Sequence, residues 1–167
     1  PFYPGIPRQQ KLDWTFPSGA RVSFAGMQYE TDKLEWQGSQ IPFIGFDELT
    51  HFSKSQFFYM VSRNRSTCGV RPYIRATCNP DPDSFVAEMI EWWIDQETGY
   101  AIPERSGVVR WMIREGEEIN WFDSQAEAVK HLVLDRGKKI KDAEIEPKSF
   151  TFIPSSIFDN PALLQKN

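Results

Sequence analysis

The chain has 167 residues, with 19 Lys and Arg against 23 Asp and Glu for a formal net charge of −4, and 40% of it is apolar. Its 13 Phe, 6 Trp and 5 Tyr can fill a sizeable core, which excludes a wholly disordered chain, and the mild acidity argues against a polybasic binder. No apolar run approaches the ~20 residues of a bilayer-spanning helix, no basic-then-apolar leader is present, and Cys68 and Cys78 are too few for a disulfide scaffold or a four-ligand zinc site.

The first eleven residues, with three prolines and a glycine, read as an entry loop. Next, Leu12, Trp14 and Phe16 alternate with polar residues, as do Ala20, Val22 and Phe24, around a Pro17-Ser18-Gly19 turn. This period of two predicts a β-hairpin. A short helix is expected around Glu30–Glu35.

Phe43-Ile44-Gly45-Phe46 is a short apolar run of buried-strand type that ends abruptly in Asp47-Glu48. Ser53 with Gln56 three residues on is a capping-box signature. It opens a predicted helix through about Ser62, with Phe57, Met60 and Val61 inward. Gly69 and Pro72 break the chain, and Tyr73–Thr77 reads as a second strand leading into Cys78-Asn79-Pro80. Strand, helix and strand in so short a span predict a βαβ unit, hence a parallel pair.

Asp81, Asp83 or Ser84 caps a further helix, on which Phe85, Met89 and Trp92, with Val86, Ile90 and Trp93, form an apolar stripe better suited to core packing than to stacking. Val108–Ile113 reads as a strand and Glu115-Gly116-Glu117 as a turn. Asp123 or Ser124 caps a helix running to Asp135, with Gly137 as its stop. Residues 136–148 are expected to be an exposed charged connection, Ser149–Ile153 a last strand, and Asn160-Pro161 the start of a short helix or tail.

Charge is unevenly laid out. Between Leu49 and Pro80 there is no acid, while Lys54, Arg63, Arg65, Arg71 and Arg75 all fall there. Such a segment can face a polyanion or simply be a solvated surface. In a parallel sheet, ligands sit beyond the carboxyl ends of the strands, where the βαβ unit delivers both Asp47-Glu48 and Thr77-Cys78-Asn79. An Asp at a strand tip can hold Mg²⁺ through water, a neighbouring Glu can take a proton from an attacking water, and a Thr or Asn beside them can bond a γ-phosphate. The ordinary alternative for the acidic pair is a helix cap followed by a solvated Glu.

The run Gln37–Ser66 (QGSQIPFIGFDELTHFSKSQFFYMVSRNRS), followed by Tyr73–Pro82 (YIRATCNPDP), resembles the large terminase subunit of tailed bacteriophages and prophages, the ATPase that drives DNA into the prohead. Phe16–Ala20, Gly116–Trp121 and Thr151–Leu163 are similar to that family too, so the likeness covers nearly the whole chain. It implies an α/β fold with a largely parallel sheet of the P-loop NTPase (additional-strand, catalytic-glutamate) type, here incomplete and with an N-terminal β-hairpin. It also implies ATP and Mg²⁺ as cofactors, Asp47 as the Walker B metal-binding carboxylate, Glu48 as catalytic base, and Thr77, Cys78 and Asn79 as the motif coupling phosphate state to motion.

Arginine fingers are a feature of the family, commonly reaching across from a neighbouring subunit. The place before Gly38, where some members carry such an arginine, holds Gln37 here. Arg63 and Arg65 are then the alternatives, expected near the Asp47–Glu48 edge, with surface solvation as their ordinary reading. No G-x-x-x-x-G-K-[ST] occurs in the sequence; the nearest approach is Gly137-Lys138 followed by Lys139. Residues 1–167 are accordingly expected to be one partial ATPase domain, its C-terminal two-thirds, without the nuclease domain and not binding ATP tightly alone. The partners implied are double-stranded DNA, the portal protein, the small terminase subunit and further copies in a ring motor, in the cytoplasm of the bacterial host and without a membrane.

Two other classes stay open. A metal-dependent nuclease would gather two metals on Asp47, Glu48, Asp81 and Asp83, and a non-catalytic assembly module would use none of them. His51 and His131 form no zinc-ligand spacing; His51, close after the Asp-Glu pair, is expected to pack or turn the loop, with a place near phosphate as the alternative.

Overall fold

The computed structural model describes residues 5–79, 81–135 and 146–159. The chain divides into two units, Pro1–Asn79 and Pro80–Asn167. The expected terminal helix from Asn160 and nearly all of the charged 136–148 connection lie outside the described residues.

The first unit begins with a small antiparallel sheet. The predicted hairpin is present as β2 (Asp13–Thr15) and β3 (Arg21–Ser23), and β1 (Ile6–Arg8), within the expected entry loop, pairs with β2 as well. The alternating apolar face is exposed: Leu12, Val22 and Phe24 are 58%, 45% and 59% accessible, and the Trp14 and Phe24 rings meet edge to face at 5.5 Å. The opposite face buries an acid. Asp13 is 1% exposed, held by a forked pair from Arg8 and by Arg21 on the neighbouring strand. Charge-assisted bonding from Arg8 pulls the carboxyl of Asp13 below its ordinary range.

The expected helix near Glu30 is a 3₁₀ segment over Glu30–Trp36. Next come β4 (Phe43–Phe46), helix α1 (Lys54–Arg63) and β5 (Tyr73–Ala76), the predicted βαβ unit. β4 and β5 pair in parallel with Phe43 opposite Tyr73 and Phe46 opposite Ala76. The capping box forms as read. Ser53 Oγ accepts from the Gln56 amide, and Gln56 Oε1 accepts from the Ser53 amide, each at 3.0 Å. Gln56 is buried and also donates to the carbonyls of Met27 and Tyr29, so the cap fastens the preceding segment to the helix. Phe57, Phe58 and Met60 are buried with Ile44, Phe46 and Leu49. Phe46 meets Phe52 and Phe57 at 5.1 and 5.5 Å.

The second unit contains α2 (Phe85–Ile90), which tightens into a 3₁₀ turn over Glu91–Trp93. It also holds an antiparallel sheet of β6 (Arg110–Glu115), β7 (Glu118–Phe122) and β8 (Lys148–Phe150), with β6 in the middle. Ser124 caps α3 (Gln125–Lys130), and the chain continues in a wider turn to Asp135 as expected. Trp93, 1% exposed, packs edge to face on Trp121 and against Phe150, while Ile113, Ala128 and Leu132 form a separate buried cluster with Trp111 and Phe122. Core packing is thus the role of Trp93. Trp92 instead carries the guanidinium groups of Arg105 and Arg110 at 4.6 and 4.9 Å from its ring centre.

The fold is a mixed α/β arrangement of small sheets. A largely parallel sheet was expected, but among the described residues β4–β5 is the parallel pair and the other ladders are antiparallel. The reason is connection length: α1 gives β4–β5 the crossover that parallel strands need, whereas Glu115-Gly116-Glu117 can only turn β6 back on β7.

Candidate functional site

Because β4 and β5 run in parallel and in register, both release their next residues at the same rim. Thr77 extends the ladder, its amide donating to the Phe46 carbonyl at 3.0 Å and its carbonyl accepting from the Leu49 amide at 2.8 Å. Its side chain then reaches across: Oγ1 donates to Asp47 Oδ1 at 2.8 Å and accepts from the Glu48 amide at 3.3 Å. The structure therefore joins the acidic pair and the Thr-Cys-Asn segment through one hydroxyl.

Glu48 adopts the left-handed backbone conformation, φ 52° and ψ 64°. For a side chain other than glycine this costs about 1–2 kcal/mol and needs support from the surroundings. Buried Leu49 anchors one side, and a single 3₁₀ turn over Leu49–His51 follows. That turn brings His51 Nε2 to 3.3 Å from Glu48 Oε2, both side chains being well exposed. Spacing alone had assigned His51 to packing or the loop; the contact depends on the left-handed bend, which no sequence period announces.

Asp47 and Asn79 are exposed and Cys78 is half-buried. Burial pushes the Cys78 thiol up, so it stays protonated at neutral pH. The exposed Cys68 thiol is instead drawn down, chiefly by the Ser66 hydroxyl.

The placement expected for the arginines needs correction. Arg63 ends α1, and its carbonyl accepts from the Ile41 amide at 3.0 Å; the next side chain, Asn64, donates to the carbonyls of Ile41, Pro42 and Tyr73. This is the entry end of β4 and β5, about 16 Å from Asp47 at ~3.3 Å per strand residue. A crossover helix must return the chain to the start of the sheet, so the residues leaving α1 cannot share the rim that precedes it. Arg63 stacks over Tyr59 at 4.9 Å, and Arg65 is exposed.

Asp81 serves a turn. Its Oδ1 accepts from the Asp83 amide at 3.0 Å and its carbonyl accepts from Ser84 Oγ at 2.7 Å. Among the described residues no three His, Cys, Asp or Glu side chains gather as a metal cluster would require. Asp47 and Glu48 belong to the first unit of the chain, Asp81 and Asp83 to the second. The remaining donor set, one exposed carboxylate beside a hydroxyl, suits a hydrated Mg²⁺ that takes most of its oxygens from water and phosphate.

A family profile described as "Terminase large subunit, T4likevirus-type, N-terminal" matches residues 2–165. The chain belongs to the large terminase subunit family. That membership places it in phage DNA packaging, in a family of proteins that are generally ATPases. No curated protein and no solved structure matches the chain. Among the described residues of this terminase segment, no helix is long and apolar enough to cross a membrane.

Proposed function

We propose that this terminase segment supplies the hydrolytic edge of a P-loop NTPase of the additional-strand, catalytic-glutamate type, and that ATP hydrolysis there drives translocation of double-stranded DNA into the prohead. The reading is carried by the in-register parallel pairing of β4 with β5, which sets Asp47, Glu48 and Thr77 within hydrogen-bonding reach of one another.

Asp47 would hold Mg²⁺ through water at the tip of β4. The bound ion would neutralise charge on the β- and γ-phosphates. Glu48 accepts the proton of the attacking water, and His51, against Oε2, restrains which way its carboxylate points. Thr77, Cys78 and Asn79 pass the phosphate state along β5. Arg63 and Arg65, at the far rim, serve as fingers for the site of a neighbouring subunit rather than for their own. The phosphate-cradling loop is absent from this sequence and is supplied elsewhere in the parent polypeptide, so the segment alone binds ATP weakly. DNA is held by its phosphates without base reading, since translocation must proceed on any sequence. The portal protein, the small terminase subunit and further copies of the subunit complete the motor, which works in the host cytoplasm.

The test uses the full-length large subunit. Glu48→Gln should lower ATP turnover by about 10²–10⁴-fold while ATP binding persists, and Asp47→Asn should lower turnover and weaken the dependence on Mg²⁺. Turnover within threefold of wild type in both variants would overturn the reading in favour of a non-catalytic assembly module.

A further inference from the structure

We propose that the arginine-bearing face of the N-terminal sheet, with Arg8, Arg21 and the adjoining Lys11, grips the phosphate backbone of duplex DNA. The inference rests on the reading of this segment as part of a DNA-translocating motor and says where that motor holds its substrate.

Residues 1–29 carry Arg8, Lys11 and Arg21 against the single acid Asp13, a net charge of 3 − 1 = +2, so the rest of the chain sums to −4 − 2 = −6. The one acid does not meet solvent. Asp13 is 1% exposed, whereas the side chains of Arg8 and Arg21 are 43% and 54% open. What this stretch of an acidic chain shows to water is therefore cationic.

Strand register puts the groups on one face. Arg8 of β1 lies opposite Asp13 of β2, and Thr15, two residues on from Asp13, lies opposite Arg21 of β3. Arg8 donates from Nε and Nη2 to the two oxygens of Asp13, each at 2.6 Å, and Arg21 Nη2 stands 2.5 Å from Oδ2. A guanidinium has five N–H donors in one plane, so both arginines keep donors for a further acceptor. The enclosed carboxylate holds them still beforehand, which removes an ordering cost that loose surface arginines meet on binding. Beside Arg8 an open depression of about 410 Å³ is lined by Pro7, Arg8, Gln10 and Lys11, with no acid in its wall. Guanidinium, ammonium and amide donors suit phosphate oxygens and read no base. Their spread over two strands and a turn suits a run of phosphates along a duplex.

The experiment measures binding of the full-length large subunit to two duplexes of unrelated sequence, without nucleotide, over a range of salt. Lys11 takes no part in the Asp13 ion pairs, so Lys11→Gln leaves the sheet intact. Lys11→Gln and Arg21→Gln should each lower the slope of log K against log salt by about 0.9, which is about eightfold in affinity at 0.1 M for an unchanged value at 1 M, and equally on both duplexes. Arg21→Lys, which keeps the charge, should keep the slope. Asp13→Asn makes the segment more positive yet releases the arginines, and should bind no tighter than wild type. Should the Arg21 or Asp13 variants fail to fold, the slope of Lys11→Gln decides. A wild-type slope in either glutamine variant, losses that differ between the duplexes, or tighter binding by Asp13→Asn overturns the proposal. So does weaker ATP binding by Lys11→Gln at an unchanged DNA slope, which would assign the cations to nucleotide phosphate. Glu48→Gln keeps the two readings apart. If it is inactive while Lys11→Gln holds DNA as wild type does, only the DNA surface is wrong; if it turns over normally, the hydrolytic assignment is wrong.

Discussion

The two ends of the β4–β5 pair are built from neighbouring stretches of sequence and have opposite chemistry. At the exit end, Asp47 and Glu48 meet Thr77 through a hydroxyl bridge. At the entry end, Arg63 and Asn64 close on Ile41, Pro42 and Tyr73. Fifteen positions separate Glu48 from Arg63, yet α1, ten residues long at 1.5 Å each, carries the arginine back along the strands. Nearness in sequence misleads here because the βαβ unit sorts residues by rim. Arg63 is thereby held at the opposite rim of the β4–β5 pair from Asp47 and Glu48.

The strongest way to break that comparison is to mix subunits. Arg63→Ala in the full-length protein should lower turnover by about 10²-fold or more if the residue is a finger. Mixing it with Glu48→Gln should recover activity, because an intact Glu48 then faces an intact Arg63 across an interface. Equal loss in the mixture would mean that Arg63 acts within its own subunit, against the geometry of the rims. Wild-type turnover of Arg63→Ala alone would leave Arg65 to be tried in the same assay.

A smaller effect sharpens what holds the exit end in place. Glu30 accepts from Lys33 and from Ser53, the cap of α1, and these bonds hold its carboxyl down at about 2. A depressed carboxyl contributes stability that is present above the ordinary value near 4.5 and is lost as pH falls towards 2. Wild type should therefore melt above Glu30→Gln at pH 6, with the gap narrowing between pH 4.5 and 2. A gap that stays constant across that range would assign the difference to something other than the ionised carboxylate.

Much of the exit end was legible in the sequence because its signals are local. The Phe43–Phe46 run and the Ser53–Gln56 box each depend on a few adjacent residues and appear where the pattern put them; α1 buries Phe57 and Met60 as read, but Phe58 rather than Val61 completes its inner face. Features that depend on pairing or bending were not legible. The Thr77–Asp47 bond requires the register of two strands, and the His51–Glu48 contact requires a left-handed Glu48. β1 was hidden by its proline, which an edge strand tolerates, and β7 by charges that the turn before it needs. In the N-terminal sheet the alternation gave the strands but not the buried face. Trp14, Val22 and Phe24 lie outward while Asp13 is enclosed, since two arginines can satisfy it there.

The most direct measurement replaces Mg²⁺ with paramagnetic Mn²⁺ in the ATP-bound full-length protein and follows the backbone amide signals of both rims. The account predicts that Asp47, Glu48, Thr77 and Asn79 broaden severely while Tyr73, about 13 Å away along the strands, and Arg63 and Asn64, about 16 Å away, are affected far less by their own subunit's ion. Severe broadening at Asn64 and Tyr73 with sharp signals at Asp47 and Thr77 would contradict it.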